Sequence, residues 1–154
     1  MCAKKIEPVP LIVSPEWLHA SLKSSSVIVY DATWNKLFPQ RKHGRDEWVE
    51  KRIADALFFD IDDVCDKKTS LPHMLPTPED FADKLSSDGV RNTDHVIVYD
   101  SHGQLSAARV FWTFKVFGHE QVSVLNGGLP AWIARNYEVH DATSPPKVRG
   151  KVTA

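Results

Sequence analysis

The segment HVIVYDSHGQLSAARVFWTFKVFG, residues 95–118, passes from the pattern of a strand, through a polar loop, to the pattern of a helix. Residues 96–99 form an apolar run that is rich in β-branched residues and bounded by polar ones, which is typical of a buried strand in a parallel sheet. From Ser106 onward apolar residues recur at spacings of three and four, and Gly118 follows where a helix C-terminus often places glycine. The segment therefore predicts a strand–loop–helix unit.

The loop of this unit is predicted to form a cup that suits a negative charge. It consists of Asp100, Ser101, His102, Gly103, Gln104, Leu105 and Ser106. Because Gly103 is free to adopt a positive φ, successive backbone N–H groups can point into the loop. The N-terminus of the following helix adds partial positive charge at the same place. The loop therefore predicts either a nucleophile or a bound anion.

Composition limits the classes of protein to which the chain can belong. Its 154 residues are 42% hydrophobic and 25% charged with a net charge of −1, which indicates one globular domain. This balance offers no basic surface for nucleic acid, and no apolar run approaches the roughly 18 residues of a membrane span. Residues 1–10 lack the apolar core of a secretory signal, so the cytosol is the expected compartment, with mitochondria as the alternative.

The chain has two cysteines, Cys2 and Cys65, and neither belongs to a Cys-x-x-Cys pair. This argues against a disulfide framework and against zinc, so we predict neither a metal nor a cofactor. The acids Asp62, Asp63 and Asp66 are expected to raise the pKa of the Cys65 thiol. Cys65 therefore fits a half-buried structural cysteine better than a nucleophile.

The chain before the central segment alternates helix and strand patterns. Ser14, followed by Pro15, is predicted to cap a first helix, and residues 27–30 form a buried apolar strand. A loop over residues 35–44 and a short charged helix over residues 45–52 follow.

The later elements complete the predicted fold. Residues 53–62 are predicted to be extended, and residues 63–78 form a long loop in which Thr77 caps the next helix. Residues 122–125 form a further strand, and residues 129–136 a short helix. This alternation predicts an α/β three-layer sandwich, with a short, mostly parallel sheet and helices on both faces.

The chain is predicted to contain one folded domain between two irregular ends. Residues 1–11 form a flexible arm, residues 12–138 the domain, and residues 139–154 a polar, proline-containing tail with the composition of a linker.

Seven separated segments carry a resemblance to a known family. They are VSPEWL (13–18), DATW (31–34), FFDID (58–62), LPHMLP (71–76), YD (99–100), SAARV (106–110) and LNGGLPAW (125–132). In order and spacing they resemble the N-terminal domain of the two-domain thiosulfate and 3-mercaptopyruvate sulfurtransferases of the rhodanese family. One departure stands at residues 52–56, RIADA, where the family usually has His-Ile-Pro-Gly-Ala, so the turn there must be made differently.

The resemblance implies an enzyme that moves sulfane sulfur from thiosulfate or 3-mercaptopyruvate, through a cysteine persulfide, to cyanide or thiol acceptors such as thioredoxin. In the family the persulfide cysteine directly follows the central strand and normally belongs to the second domain. Here that position holds Asp100, and a carboxylate cannot carry sulfane sulfur. We therefore expect residues 100–106 to be a degenerate active-site loop, with Asp100 accepting hydrogen bonds from its amides.

Two residues between the short charged helix and the next helix are the candidate functional side chains. The resemblance implies that Asp62 reaches across the domain cleft towards the catalytic cysteine, where its carboxylate would help to generate the thiolate. It also implies that His73 binds or polarises the substrate, although a histidine between prolines fits a surface or packing role as well. Arg109 could bind an anion in the cup or pair with Asp100 or another buried acid, and we favour structural pairing.

These features predict the N-terminal, non-nucleophile domain of a sulfurtransferase. Its main partner would be a second rhodanese domain that carries the cysteine, in the same chain or in trans. Small sulfur donors and thiol acceptors are also expected, whereas nucleic acid and membranes are not. The alternative is a stand-alone, catalytically inactive rhodanese module with a binding or regulatory role. A phosphatase relative of the fold is excluded because residues 100–106 contain neither cysteine nor arginine.

Overall fold

A computed structural model describes residues 7–145 of the chain. Cys2, with the rest of residues 1–6, and residues 146–154 of the predicted tail lie outside the described residues. The strands are β1 Ile12–Val13, β2 Val27–Asp31, β3 Arg52–Ile53, β4 Leu57–Phe58, β5 His95–Tyr99, β6 Val122–Leu125 and β7 Val139–His140. The helices are α1 Pro15–Ser21, α2 Gly44–Glu50, α3 Pro78–Ser87, α4 Ala107–Val116 and α5 Gly128–Ala134.

Five of the strands form a parallel sheet in the order β1-β6-β5-β2-β4. Alternate side chains of the central strand β5 enter two different cores, because successive residues of a strand point to opposite faces. Val96 and Val98 pack with residues of α3 and α4, whereas Ile97 and Tyr99 pack with residues of α1 and α5. Helices therefore cover both faces, and the predicted three-layer α/β sandwich is confirmed.

The helix ends follow the local signals in the sequence. Ser14 Oγ accepts a hydrogen bond from the Trp17 N–H at 3.0 Å, and Thr77 Oγ1 accepts one from the Asp80 N–H at 3.1 Å. Gly118, just beyond α4, has a φ of 82°, the left-handed conformation that commonly ends a helix. Within residues 7–145, no helix is long and apolar enough to cross a membrane.

A second, two-stranded sheet differs from the sequence-based expectation. β3 pairs antiparallel with β7, so the helix predicted over residues 45–52 ends earlier and the ordered fold extends past residue 138 to His140. The turn after β3 contains neither proline nor glycine. Asp55 makes it with a φ of 64°, and the Asp55 N–H donates to His140 Nδ1 at 3.2 Å. The start of the predicted tail is thus the partner that stabilises this unusual turn.

Candidate functional site

The loop after β5 forms the predicted cup, and the side chain of Asp100, its first residue, occupies it. The Asp100 side chain is completely buried. Its Oδ1 accepts hydrogen bonds from the N–H groups of His102 and Gly103, each at 2.9 Å, and its Oδ2 accepts one from the Ala107 N–H at 2.8 Å. These amides are the groups that an anion in the cup would need. The carboxylate therefore takes the place of a bound anion.

The first residues of α5 pack against the backbone of the cup. The Leu129 N–H donates to the backbone carbonyl of Asp100 at 3.0 Å. Gly128 lies so close to that carbonyl that any Cβ at this position would collide with it, and its φ of 57° is left-handed. Glycine is therefore needed at position 128 both for its conformation and for the close approach of two backbones.

The rim of the cup is tied to the segment between β2 and α2. The Arg41 guanidinium donates to both carboxylate oxygens of Glu47, each at 2.9 Å, and to Ser101 Oγ at 3.0 Å. It also lies 2.9 Å from His102 Nδ1, and His102 Nε2 lies 2.6 Å from Asn35 Oδ1. Burial and the Arg41 charge lower the pKa of His102. The network holds the rim with a neutral histidine and an arginine whose charge is already matched by Glu47.

A second buried carboxyl group lies beside the cup at the end of β2. Asp31 Oδ1 accepts hydrogen bonds from the Thr33 N–H at 2.9 Å and the Thr33 hydroxyl at 2.6 Å. Thr33 Oγ1 in turn accepts a hydrogen bond from the Ser101 N–H at 3.0 Å. Burial raises the pKa of Asp31 to about 7, and the nearby Asp100 charge acts in the same direction.

The other residues of the loop have simpler surroundings. Gln104 and Leu105 are exposed, and Gln104 Nε2 lies 3.4 Å from Asn126 Oδ1. Ser106 is buried, and its hydroxyl accepts a hydrogen bond from the Trp34 backbone N–H at 3.2 Å. Through Trp34 the loop is therefore linked to the neighbouring Asp62 cluster, described next.

The structure brings the two candidate functional side chains together in a group that we call the Asp62 cluster: Trp34, Lys36, Asp62 and His73. The Trp34 Nε1–H lies 3.2 and 3.3 Å from the two carboxylate oxygens of Asp62, and Lys36 Nζ lies 3.1 Å from Oδ2. His73 Nδ1 lies 3.2 Å from Asp62 Oδ1, at an angle that does not make a hydrogen bond. The Asp62 side chain is 20% exposed, so it remains accessible from outside the domain.

Arg109 has a structural contact, but not with Asp100, one of the acids that we considered as its partner. Both Asp100 oxygens are already used by loop amides, which leaves the guanidinium no access to the buried carboxylate. Instead, Arg109 donates to the backbone carbonyl of His73 and lies 5.2 Å from the Trp112 ring. It therefore helps to hold His73, whose φ of 57° is unusual for a residue other than glycine.

Cys65 lies beside the Asp62 cluster without contacting the cup. Its thiol donates to the backbone carbonyl of Asp62 at 3.2 Å. Burial raises the pKa of the thiol, and the charges of Asp60, Asp62 and Asp63 act in the same direction. At neutral pH the group is therefore a poor nucleophile.

Among residues 7–145, one set of side chains has the composition of a metal site. Ligand atoms of His43, Asp60 and Asp62 lie within 4.8 Å of one another at a cleft of about 220 Å³. Each already has a partner: His43 Nδ1 accepts the Arg45 N–H, Asp60 Oδ1 accepts the Asp62 N–H, and Asp62 pairs with Lys36. These contacts favour a protein-internal role for the three side chains over metal ligation.

Sequence reasoning missed several of the residues that build this site. Arg41 lies in the predicted loop over residues 35–44, Glu47 lies in the predicted charged helix, and Trp34 is noted in the sequence only as part of the DATW motif. The DATW motif at residues 31–34 is the one signal that could have pointed to Asp31 and Trp34.

Comparisons with known proteins identify the family of the chain. The sequence model of the family described as "Rhodanese-like domain" matches residues 14–135. The chain is 50% identical over 133 residues to thiosulfate/3-mercaptopyruvate sulfurtransferase 1, mitochondrial, from Arabidopsis thaliana, covering 86% of this chain and 35% of the relative. It is 39% identical over 142 residues to the thiosulfate sulfurtransferase of Bos taurus, covering 88% of this chain and 47% of the relative.

Solved structures show the same relationship. SseA from Escherichia coli, described as a 3-mercaptopyruvate sulfotransferase, superimposes with a TM-score of 0.81 at 31% identity, covering 95% of this chain and 57% of that one. Tum1 from Saccharomyces cerevisiae gives a TM-score of 0.79 at 34% identity, covering 93% of this chain and 49% of that one. The chain thus spans between about a third and a half of the length of the curated relatives. It belongs to the rhodanese-like domain family and is homologous to the thiosulfate/3-mercaptopyruvate sulfurtransferases.

Proposed function

We propose that this chain acts as the N-terminal, non-nucleophile domain of a two-domain sulfurtransferase. One observation carries the proposal: the Asp100 carboxylate occupies the cup in which a persulfide would sit and uses three of its amides. The domain would therefore depend on a cysteine supplied by a second rhodanese domain. The match to this chain spans only 35% and 47% of the two relatives, which supports such a second domain.

The proposed reaction takes place on the second domain. Its cysteine thiolate attacks the outer sulfur of thiosulfate, the S–S bond breaks, and sulfite leaves with the electron pair. With 3-mercaptopyruvate the C–S bond breaks instead, and the carbon takes up a proton to give pyruvate. Cyanide or an acceptor thiol, such as that of a thioredoxin, then attacks the outer sulfur of the persulfide and releases the thiolate. Compounds of these two donor classes are named in the descriptions of the relatives.

This chain would contribute one wall of the cleft. Asp62 is accessible, carries a negative charge matched by Lys36, and has an oxygen that faces His73. A carboxylate at the cleft can accept a hydrogen bond from a relay group on the second domain and so favour the thiolate. His73, next to it, would bind or polarise the sulfur donor. We propose the cytosol as the compartment, with mitochondria, named for the plant relative, as the alternative.

A chimera tests the proposal. The chain replaces the matching segment of the Arabidopsis relative, and thiocyanate release is measured with both donors and cyanide. We expect an active chimera, and Asp62→Asn is expected to lower kcat/KM by about 10-fold or more, as loss of a catalytic proton-transfer aid typically does. Asp63→Asn is the matched control, since Asp63 is an exposed acid paired with Lys67.

Two outcomes would contradict the proposal. The first is a folded chimera without activity beside an active parent enzyme. The second is an Asp62→Asn chimera that turns over as fast as the Asp63→Asn control. If thiocyanate release by the second domain is the same with and without this chain, the stand-alone binding module is favoured instead.

A further inference from the structure

The Asp62 carboxylate lies on a segment without regular structure, so another part of the fold must fix its orientation. Its own backbone N–H donates to Asp60 Oδ1 at 2.9 Å, which turns the chain but leaves the Asp62 side chain free to rotate. Trp34 lies on the segment that follows β2, 28 residues earlier. Its indole N–H reaches both carboxylate oxygens, at 3.2 and 3.3 Å.

Trp34 is itself held on three sides. Its backbone N–H donates to the buried hydroxyl of Ser106 at 3.2 Å, at the end of the cup loop. Its ring meets the His73 ring edge to face, with centroids 4.9 Å apart and an interplanar angle of 83°. The ring also packs against the core cluster beneath α3 and α4. A side chain fixed in this way is a rigid reference for the groups that touch it.

Lys36 contributes charge to the cluster more than position. Its ammonium lies 3.1 Å from Asp62 Oδ2, but the Lys36 side chain is 60% exposed. An exposed lysine has many rotamers, and water screens its attraction to the carboxylate. Orientation therefore depends on the indole, whose single N–H points in a direction set by the packing of the partly buried ring.

We infer that Trp34 is a positioning residue, which holds the Asp62 carboxylate and the His73 ring in one mutual geometry and anchors both to the cup loop. The inference rests on the proposed function, in which Asp62 and His73 face the second domain. Trp34 touches neither donor nor acceptor in this reading, and it acts through Asp62. Its indole N–H is the essential group, because phenylalanine would supply an aromatic ring in the same place but no donor for the Asp62 carboxylate.

The first test uses the chain itself. In ¹H–¹⁵N spectra of residues 1–154, the Trp34 indole signal is identified as the one that Trp34→Phe removes. We expect Asp62→Ala to move this signal upfield and to speed its exchange with water. A Trp34 signal that Asp62→Ala leaves unchanged would overturn the contact.

The second test uses the active chimera. Trp34→Phe is expected to lower kcat by about 10-fold with KM for the donor nearly unchanged, because misplacement of a catalytic group by about 1 Å costs up to 100-fold. The pH at which the rate is half-maximal should also rise, since a misplaced carboxylate favours the thiolate less. Trp48→Phe is the matched control, because its indole donates to the Ala56 carbonyl at 3.0 Å, away from the cluster.

A double mutant separates this inference from the proposed function. If Trp34 acts through Asp62, adding Trp34→Phe to Asp62→Asn causes little further loss. A full additional 10-fold loss, or a Trp34→Phe chimera that behaves like Trp48→Phe while Asp62→Asn is slow, would overturn the positioning role alone. An unimpaired Asp62→Asn chimera would instead overturn the proposed function.

Discussion

Replacement of Asp100 by alanine removes the acceptor of three backbone N–H groups. Those of His102 and Gly103 point at Oδ1, and that of Ala107 points at Oδ2. Because Asp100 is completely buried, a methyl group in its place would leave a small space in front of the three amides. The same loop amides would then hold no negative charge.

The expected loss of stability follows from these contacts. A buried amide without a partner costs about 1–3 kcal/mol. Two effects reduce the sum for three amides: water can enter the vacated space, and the variant no longer buries a charge. We therefore expect Asp100→Ala to lower the free energy of unfolding by about 3–6 kcal/mol, a large part of the roughly 5–15 kcal/mol typical of a domain.

Urea unfolding followed by tryptophan fluorescence measures this loss. Asp63→Ala is the control, since that acid is 66% exposed and water screens its pair with Lys67. Asp100→Asn should fall between the two, because it keeps one oxygen but turns an N–H₂ group towards some of the amides. An Asp100→Ala loss within about 1 kcal/mol of the Asp63→Ala loss would refute the view that the carboxylate organises the cup.

Three further predictions concern the surroundings of the cup. The pKa of Asp31, raised from 3.8 to about 7, means that the native state keeps a proton that the unfolded chain releases, so stability should fall as pH rises from about 4 to 7. Asp31→Asn should remove this pH dependence, which is worth at most about 4 kcal/mol at about 1.4 kcal/mol per tenfold change in proton affinity. The free energy of unfolding of both proteins is measured at pH 4.5 and at pH 7.5, and a variant that loses as much stability between them as the wild type would contradict the prediction. Gly128→Ala should lower the free energy of unfolding by more than about 2 kcal/mol because the new Cβ would collide with backbone atoms. Gly118→Ala has nothing within 4 Å of its Cβ and should cost only about 1 kcal/mol of backbone strain. Equal losses of the two variants in thermal unfolding would argue against the close packing at Gly128. Arg41→Ala should speed hydrogen exchange of the Ser101 amide without affecting α4, and an unchanged rate would show that the rim is held otherwise.

The features that sequence analysis predicted correctly depend on neighbouring residues. The strand and helix of residues 95–118 show in the spacing of their apolar side chains, and the caps at Ser14 and Thr77 act over three residues. Fold class follows from the alternation of such elements. Asp62 and His73 were named through family resemblance, because nothing in their own sequence surroundings distinguishes them from surface residues.

The features that it missed depend on distant residues that meet only in the fold. Arg41 contacts Ser101, 60 positions later, and two-residue strands such as β3 and β7 are too short to show a period. Pairing of Arg109 with Asp100 or another buried acid is a reasonable expectation from the sequence, but Arg109 contacts the His73 carbonyl instead. Backbone N–H groups occupy both oxygens of Asp100, and the pattern of residues in the sequence does not show such backbone contacts.

Cyanide-dependent thiocyanate release from purified residues 1–154, with thiosulfate and with 3-mercaptopyruvate, shows whether this domain can act alone. We expect no turnover above background with either donor, because the Asp100 carboxylate fills the cup. In addition, burial and nearby acids raise the pKa of Cys65. A Cys65→Ser variant measured in parallel identifies the source of any activity. Turnover that disappears in Cys65→Ser would contradict the account and would place the nucleophile in the loop that carries Asp62 and His73.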